Sequence, residues 1–195
     1  VLLFLFIYLG YSTQLEHFLK NYFENGYLRF LVFIMITGIA SGIIFSPMSF
    51  YTQYYLEHKY NLSNQTILKW LWESVKGLAV SLVIGVPVLL VFYFSLVTYN
   101  EYWWLPFAVI LFFISVILAR IAPVIILPLF YKIIPIDDVD LKTRISNLAK
   151  DAGLKIENVY KFDMSKNTKK ANAAFTGIGK SKRIILGDTL IENFS

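Results

Sequence analysis

The chain has 195 residues, of which 57% are hydrophobic, 17% aromatic and only 16% charged, with a mean hydropathy of +0.59. A soluble domain carries about a quarter charged residues, so this composition excludes an ordinary globular enzyme, a disordered tail and a compact nucleic-acid module. The formal charge is +5, from 18 Lys+Arg against 13 Asp+Glu, and there is no cysteine; in so apolar a chain the basic excess reports membrane orientation, and disulfides, thiolate metal sites and cysteine nucleophiles are excluded.

A helix needs about 20 apolar residues to cross a bilayer. Residues 1–9 are apolar but too short. They read as the end of a helix that begins upstream, and the chain is expected to be a fragment cut at both ends. The alternative, the apolar core of a signal peptide, lacks an initiating Met, a basic flank and a small-residue cleavage site. Residues 30–50 and 77–99 contain no charged residue, nor do residues 102–119, whose apolar character resumes after Arg120. Three spans are therefore expected at about 30–50, 77–99 and 102–122, the last extending to 131. Gly38, Gly42 and Pro47, Gly85 and Pro87, and Pro123 and Pro128 interrupt them. Such residues allow either close helix packing or bending around an internal cavity.

Orientation follows from Lys and Arg. The loop at 51–76 carries Lys59, Lys69 and Lys76, and the segment from Lys132 onward carries most of the remainder, whereas residues 98–101 carry none. The loop and the tail should share the cytoplasmic side, with Trp103 and Trp104 anchoring the opposite interface. Arg120 reads as a snorkelling residue, and Glu57-His58-Lys59 as a solvated loop face.

Composition changes at Lys132. Pro135-Ile136-Asp137-Asp138 reads as a linker, and Asp138 or Asp140 as a helix cap. Leu141, Ile145, Leu148, Ala149 and Ala152 share one helical face, with Gly153 as the stop, which predicts a helix at 139–152. Strands are expected at about 158–162, 171–175 and 182–186, the last two forming a hairpin, and a helix from 189. Residues 132–195 are too few for a secure core and read as part of an α+β domain.

Chemistry is sparse. Gly177-Ile178-Gly179-Lys180-Ser181 looks like the end of a phosphate loop, but Ala174 stands where its first glycine belongs and an apolar, strand-like run follows the lysine. A hairpin turn is the simpler reading, and neither nucleotide nor nucleic acid is expected as a partner. His17 and His58 are the only histidines, too few for a zinc site. Asp137, Asp138 and Asp140 can bind a hard cation or cap a helix. Asn172-Ala173-Ala174-Phe175 has small side chains on an extended backbone. It suits either an ordinary packed strand or an edge that pairs with an extended peptide.

The run from Asn172 to Leu190, with Asn172-Ala173-Ala174-Phe175, Lys182-Arg183-Ile184-Ile185-Leu186 and Asp188-Thr189-Leu190, resembles the segment ahead of the zinc motif in type I CAAX prenyl proteases. Glu57-His58-Lys59-Tyr60-Asn61-Leu62-Ser63-Asn64-Gln65-Thr66, Ser81-Leu82-Val83-Ile84-Gly85-Val86-Pro87 and Pro128-Leu129-Phe130-Tyr131-Lys132 are similar to further segments of that family, in the same order. The resemblance implies an integral-membrane zinc metalloendopeptidase of the gluzincin kind. Its fold is a multi-pass α-helical membrane domain, here residues 1–131, followed by a partial α+β protease domain, here residues 132–195. The membrane is the bacterial inner membrane or the endoplasmic reticulum, with the tail cytoplasmic.

In that family a zinc-bound water attacks the peptide, with the glutamate of His-Glu-x-x-His as base. Neither that motif nor a further ligand occurs here, so catalytic and metal residues are expected to be absent from this piece, which should be inactive alone. The resemblance assigns Asn172, Ala173, Ala174 and Phe175 to pairing with the substrate backbone. Ala174 departs from the Tyr or Phe common there. The implied partners are membrane lipids and a peptide or prenylated protein substrate. The alternative is a non-enzymatic membrane scaffold or quality-control factor with the same fold.

Overall fold

A computed structural model describes residues 2–177 and 182–193. Its backbone clusters into two units. One comprises Val1–Phe50 and Ala79–Leu111, the other Tyr51–Leu78 and Phe112–Ser195.

In the first unit, α1 (Leu2–Tyr8) and α2 (Tyr11–Lys20) meet at Gly10, whose φ of 76° is left-handed and suits a residue without Cβ. Next come α3 (Gly26–Phe50), the outer part of a long helix that starts in the second unit, and the start of another that ends there. An aromatic cluster joins these helices. The Phe30 ring stacks on Tyr93 at 4.9 Å, Tyr27 meets Tyr93 edge-on at 4.8 Å, and Phe92 packs against Trp103 and Phe107 at 5.4 and 5.1 Å. Rings at these separations add about 0.5–1.5 kcal/mol per pair beyond their area. No protein atom among the described residues lies within 4 Å of a Cβ built on Gly38 or Gly42, so close packing through these glycines is not what the structure shows. Thr37, Ala40 and Ser41 instead line a cavity of about 580 Å³ with Leu3, Phe6 and Phe45.

In the second unit a π-helical turn at Tyr51–Tyr55 leads into α4 (Leu56–Lys59). Helix α5 (Ile67–Tyr99) begins ten residues ahead of the expected span, because hydropathy marks immersion in lipid and not helix length. Thr66 Oγ1 accepts the Lys69 amide (3.3 Å) at its start. Helix α6 (Trp104–Ile121) passes through a π turn (Ala122–Ile126) into α7 (Leu127–Phe130). Pro123 and Pro128 lie inside this continuous helical stretch, within and just after its π turn, the kind of irregularity by which a helix accommodates a missing N–H. Three helical stretches, Gly26–Lys59, Ile67–Tyr102 and Trp104–Phe130, are long and apolar enough to cross a membrane.

The lobe that follows is a four-stranded sheet ordered β1-β2-β4-β3. Strand β1 (Ile133–Pro135) is an element the sequence does not predict, and it overlaps the expected linker only at Pro135; it pairs antiparallel with β2 (Asn158–Phe162). Helix α8 (Val139–Asp151) lies between them in sequence. Asp138 caps it by accepting the Leu141 amide at 3.0 Å. Strand β3 (Ala173–Thr176) pairs antiparallel with β4 (Arg183–Gly187), and β4 pairs parallel with β2. Helix α9 (Asp188–Asn193) follows. Leu141 and Ile145 of α8 pack with Ile184 against Ile136, Val159 and Leu186; Ile185, Phe162 and Met164 form the core of the other face. The turn expected at Gly177–Ser181 lies outside the described residues after Gly177, whose φ is 93°.

Gly187 is buried where β4 meets α9, and a Cβ there would strike Met164 Sδ and come within 3.1 Å of the Asn172 carbonyl oxygen. Such overpacking costs about 1–3 kcal/mol. Gly187→Ala should lower the midpoint of chemical unfolding of the lobe by that amount, followed by amide hydrogen exchange along β4. Unchanged protection would show that Met164 moves aside without cost.

Candidate functional site

The chemistry-bearing feature of the lobe is the outer side of β3. Antiparallel pairing alternates between residues that exchange hydrogen bonds with the partner strand and residues whose N–H and C=O point away. The Gly187 amide donates to the Asn172 carbonyl at 2.8 Å, and the register runs on as Ala173↔Leu186, Ala174↔Ile185, Phe175↔Ile184 and Thr176↔Arg183. Asn172, Ala174 and Thr176 therefore turn their backbone groups toward β4. Ala173 and Phe175 turn theirs outward, where no further strand pairs among the described residues. The expected four residues fall at one place but divide into two roles. The outward edge is also partly engaged, since Asn172 Oδ1 accepts the Ala173 N–H at 2.9 Å. The first outward N–H without a hydrogen-bond partner among the described residues is that of Phe175.

Side chains follow the same alternation. Ala173 and Phe175 stand beside Leu186 and Ile184 on the face that α8 covers. Phe175 is 47% exposed, and Ala173 and Ala174 are also exposed. Between them and Leu148, Ala149 and Ala152 of α8 lies an apolar cavity of about 350 Å³.

Why the edge stays in place is answered by residues 163–172, which are stitched down from two directions. From the loop ahead of α5, the Asn64 amide donates to the Asn167 carbonyl (3.0 Å) and Asn64 Nδ2 to the Ser165 carbonyl (2.8 Å). The Leu62 carbonyl accepts both the Lys169 amide (2.9 Å) and Thr168 Oγ1 (2.8 Å). Lys69 Nζ donates to the Lys166 carbonyl (2.6 Å), and Lys170 pairs with Glu57 at 2.7 Å. From α9, both Asp188 oxygens accept from Ser165, at 2.8 Å from its amide and 2.5 Å from its hydroxyl, and Thr189 Oγ1 donates to the Lys170 carbonyl (2.7 Å). Asn167 Oδ1 and Thr176 Oγ1 are buried without a protein partner.

Of Glu57-His58-Lys59, read as a solvated face, Lys59 is exposed but the other two are half-buried and engaged. Glu57 holds Lys170, and His58 packs tilted against Tyr54 (4.2 Å) with its ring nitrogens 2.7 Å from the carbonyl oxygens of Tyr54 and Gln65. Arg183 donates to the Pro123 carbonyl (2.8 Å) and lies over the Tyr160 ring (5.4 Å). The sequence places these residues in family-like segments but not their partners: His58 and Arg183 meet backbone carbonyls, which no motif records, and Glu57 meets Lys170 from far along the chain. Among the described residues no group of three or more His, Asp or Glu side chains converges as a metal site, and Asp138 acts as a cap. The residues present do not fit a catalytic metal.

Helices long and apolar enough to cross a membrane precede, along the chain, a four-stranded mixed sheet whose β3 edge pairs with no further strand among the described residues. Residues 1–132 match the family model described as the CAAX prenyl protease N-terminal region, with five membrane helices, and residues 135–195 match peptidase family M48. The chain belongs to the CAAX prenyl protease family of M48 metallopeptidases. It is 33% identical over 168 residues to CAAX prenyl protease 1 of Saccharomyces cerevisiae, covering 85% of this chain and 37% of that one. It is 30% identical over 197 residues to the uncharacterized metalloprotease YhfN of Bacillus subtilis, covering 97% and 44%. The crystal structure of S. mikatae Ste24p superposes with a TM-score of 0.85 at 29% identity, covering 96% of this chain and 45% of that chain. The chain spans less than half the length of these relatives. The family implies a metal cofactor and an integral-membrane setting.

Removing a carboxylate that holds two buried-side donors costs about 1.5–3 kcal/mol for a charged acceptor. Asp188→Ala should release Ser165, so that amide exchange quickens across 164–172 while β2 stays protected. Equal protection in variant and parent would show that the loop contacts alone suffice.

Proposed function

We propose that this chain is the membrane and substrate-strand portion of a zinc metalloendopeptidase, and that the outer edge of β3 holds a peptide substrate in extended form. The observation that carries the reading is the pinned, open edge at Ala173 and Phe175, in a lobe of the CAAX prenyl protease family. Main-chain pairing gives affinity with little demand on sequence, which suits a peptidase whose substrate is threaded as a backbone. Phe175 offers a free N–H and C=O. Ala173 offers a C=O, and its N–H once the Asn172 amide swings aside. Small side chains at Ala173 and Ala174 let a second backbone approach closely. His-Glu-x-x-His, which would supply metal ligands and base, does not occur among these 195 residues, so the role proposed for them is to bind and orient the peptide. Peptides, prenylated or not, are the substrate class.

The register separates binding from folding. In a protein extended to include His-Glu-x-x-His, Phe175→Pro removes an outward N–H and should cut kcat/KM at least about tenfold, the worth of one hydrogen bond of roughly 1.4 kcal/mol. Melting should be little changed. Ala174→Pro removes a bond to β4 and should lower the melting temperature instead. Equal effects of the two, or full activity of Phe175→Pro, would remove the pairing role. Absence of any peptidase activity in that longer protein would favour the scaffold reading.

The proposed orientation has the lobe in the cytoplasm. Because the chain has no cysteine, single cysteines report cleanly: Asn100→Cys should react with an impermeant thiol reagent from outside, and Lys166→Cys only after permeabilisation. The reverse pattern would invert the topology.

A further inference from the structure

The first unit contains a second cavity, far from any peptide chemistry in its composition. It measures about 460 Å³ and lies where α2 crosses the start of α3, lined by Ser12, Thr13, Glu16, Arg29, Phe33 and Tyr93, among others. Its two charges are of opposite sign and loosely joined. Arg29 Nε stands 3.6 Å from Glu16 Oε1, and Arg29 Nη1 donates to the Phe23 carbonyl at 3.3 Å. A guanidinium has five N–H donors, so this leaves most of its capacity unspent. Glu16 keeps 45% of its side chain exposed, Arg29 24%.

Depth gives the cavity its meaning. Arg29 immediately precedes residues 30–50, which carry no charge, so it sits where a spanning helix leaves the hydrocarbon for the headgroup layer. Below the charged pair the wall is Phe30, Phe33 and Ile34; beside it are the hydroxyls of Ser12, Thr13 and Tyr93. An occupant that complements this arrangement has an anionic and a cationic group close together, hydrogen-bond donors on the cation, and an apolar tail. We propose that the cavity binds the headgroup of a phosphatidylethanolamine, with a phosphodiester oxygen on Arg29 and the primary ammonium on Glu16 and the neighbouring hydroxyls. Arginine suits phosphate recognition because its planar fork matches two oxygens. The ammonium distinguishes this lipid from phosphatidylcholine, which has no N–H to donate, and from phosphatidylglycerol, which has no cation. A small aqueous anion would satisfy Arg29 but would leave Glu16 and the apolar wall unmatched.

The full chain is reconstituted in vesicles of equal parts phosphatidylethanolamine, phosphatidylcholine and phosphatidylglycerol, extracted in mild detergent, and its retained lipid counted by native mass spectrometry. Phosphatidylethanolamine should be retained about fivefold or more over either other lipid, as expected of charge-assisted bonds to both groups. Glu16→Gln should bring it down to the phosphatidylcholine level without lowering phosphatidylglycerol, and Arg29→Gln should lower all three lipids, since each carries the phosphodiester. Equal retention of the three lipids by the parent, or unchanged retention in both variants, would overturn the proposal and leave the pair as a strut between α2 and α3. Should Arg29→Gln not fold, Ile34→Trp decides. It narrows the apolar wall and leaves both charges, so lost retention supports the site and full retention refutes it.

Discussion

The lobe depends on how residues 163–172 are held. This stretch has almost no regular structure of its own beyond the short 3₁₀ turn at Met164–Lys166, yet it sets where β3 begins. Its backbone groups are satisfied by the loop ahead of α5 and by the first residues of α9. A neutral hydrogen bond contributes only about 0.5–1.5 kcal/mol net, and the exposed Lys170–Glu57 pair less. What matters is that the bonds come from two segments distant in sequence and all converge on ten residues. A strand with one side free can keep its position only if something other than the sheet defines it. Here the stitching does so, and it leaves the outer edge open.

The same arrangement explains what could be read in the sequence. The α8 helix was legible because cap, apolar face and glycine stop agree locally: Asp138 accepts from Leu141, Leu141 and Ile145 face the sheet, and Gly153 takes φ 74°. The β3–β4 hairpin was legible for the same reason. Strand β1 was not, since Ile133-Ile134-Pro135 is too short to show a period, and its proline is tolerable only at an edge, a position that topology alone assigns. The parallel β2–β4 pairing was equally hidden, as it joins strands distant in sequence. At the β3 edge composition left an ordinary strand and a pairing edge both open, the resemblance singled out Asn172 to Phe175, and neither says which of them face outward. That depends on the pairing register, which shifts every role by one residue if it slips. The pairing of Lys69, Lys170, Glu57 and Asp188 could not be read in sequence because each partner lies far along the chain.

An open edge is also a hazard, because unpaired N–H and C=O groups recruit other chains. Three local features limit it. Strand β3 is only four residues long, which restricts the length of any unintended pairing. Gly177, with φ 93°, ends the extended run just past Thr176. At the other end Asn172 bends its own side-chain amide back to accept the Ala173 N–H, so that end is covered from within. A visiting strand gains immediately only from Phe175 and the Ala173 carbonyl; to gain more it has to displace the Asn172 amide. That exchange trades one hydrogen bond for another and is close to neutral in energy, so it costs a substrate little. It still deprives a casual partner of the extra contact that would make a short, accidental pairing persist. The asparagine, one residue ahead of β3, thus covers the first outward N–H of the strand.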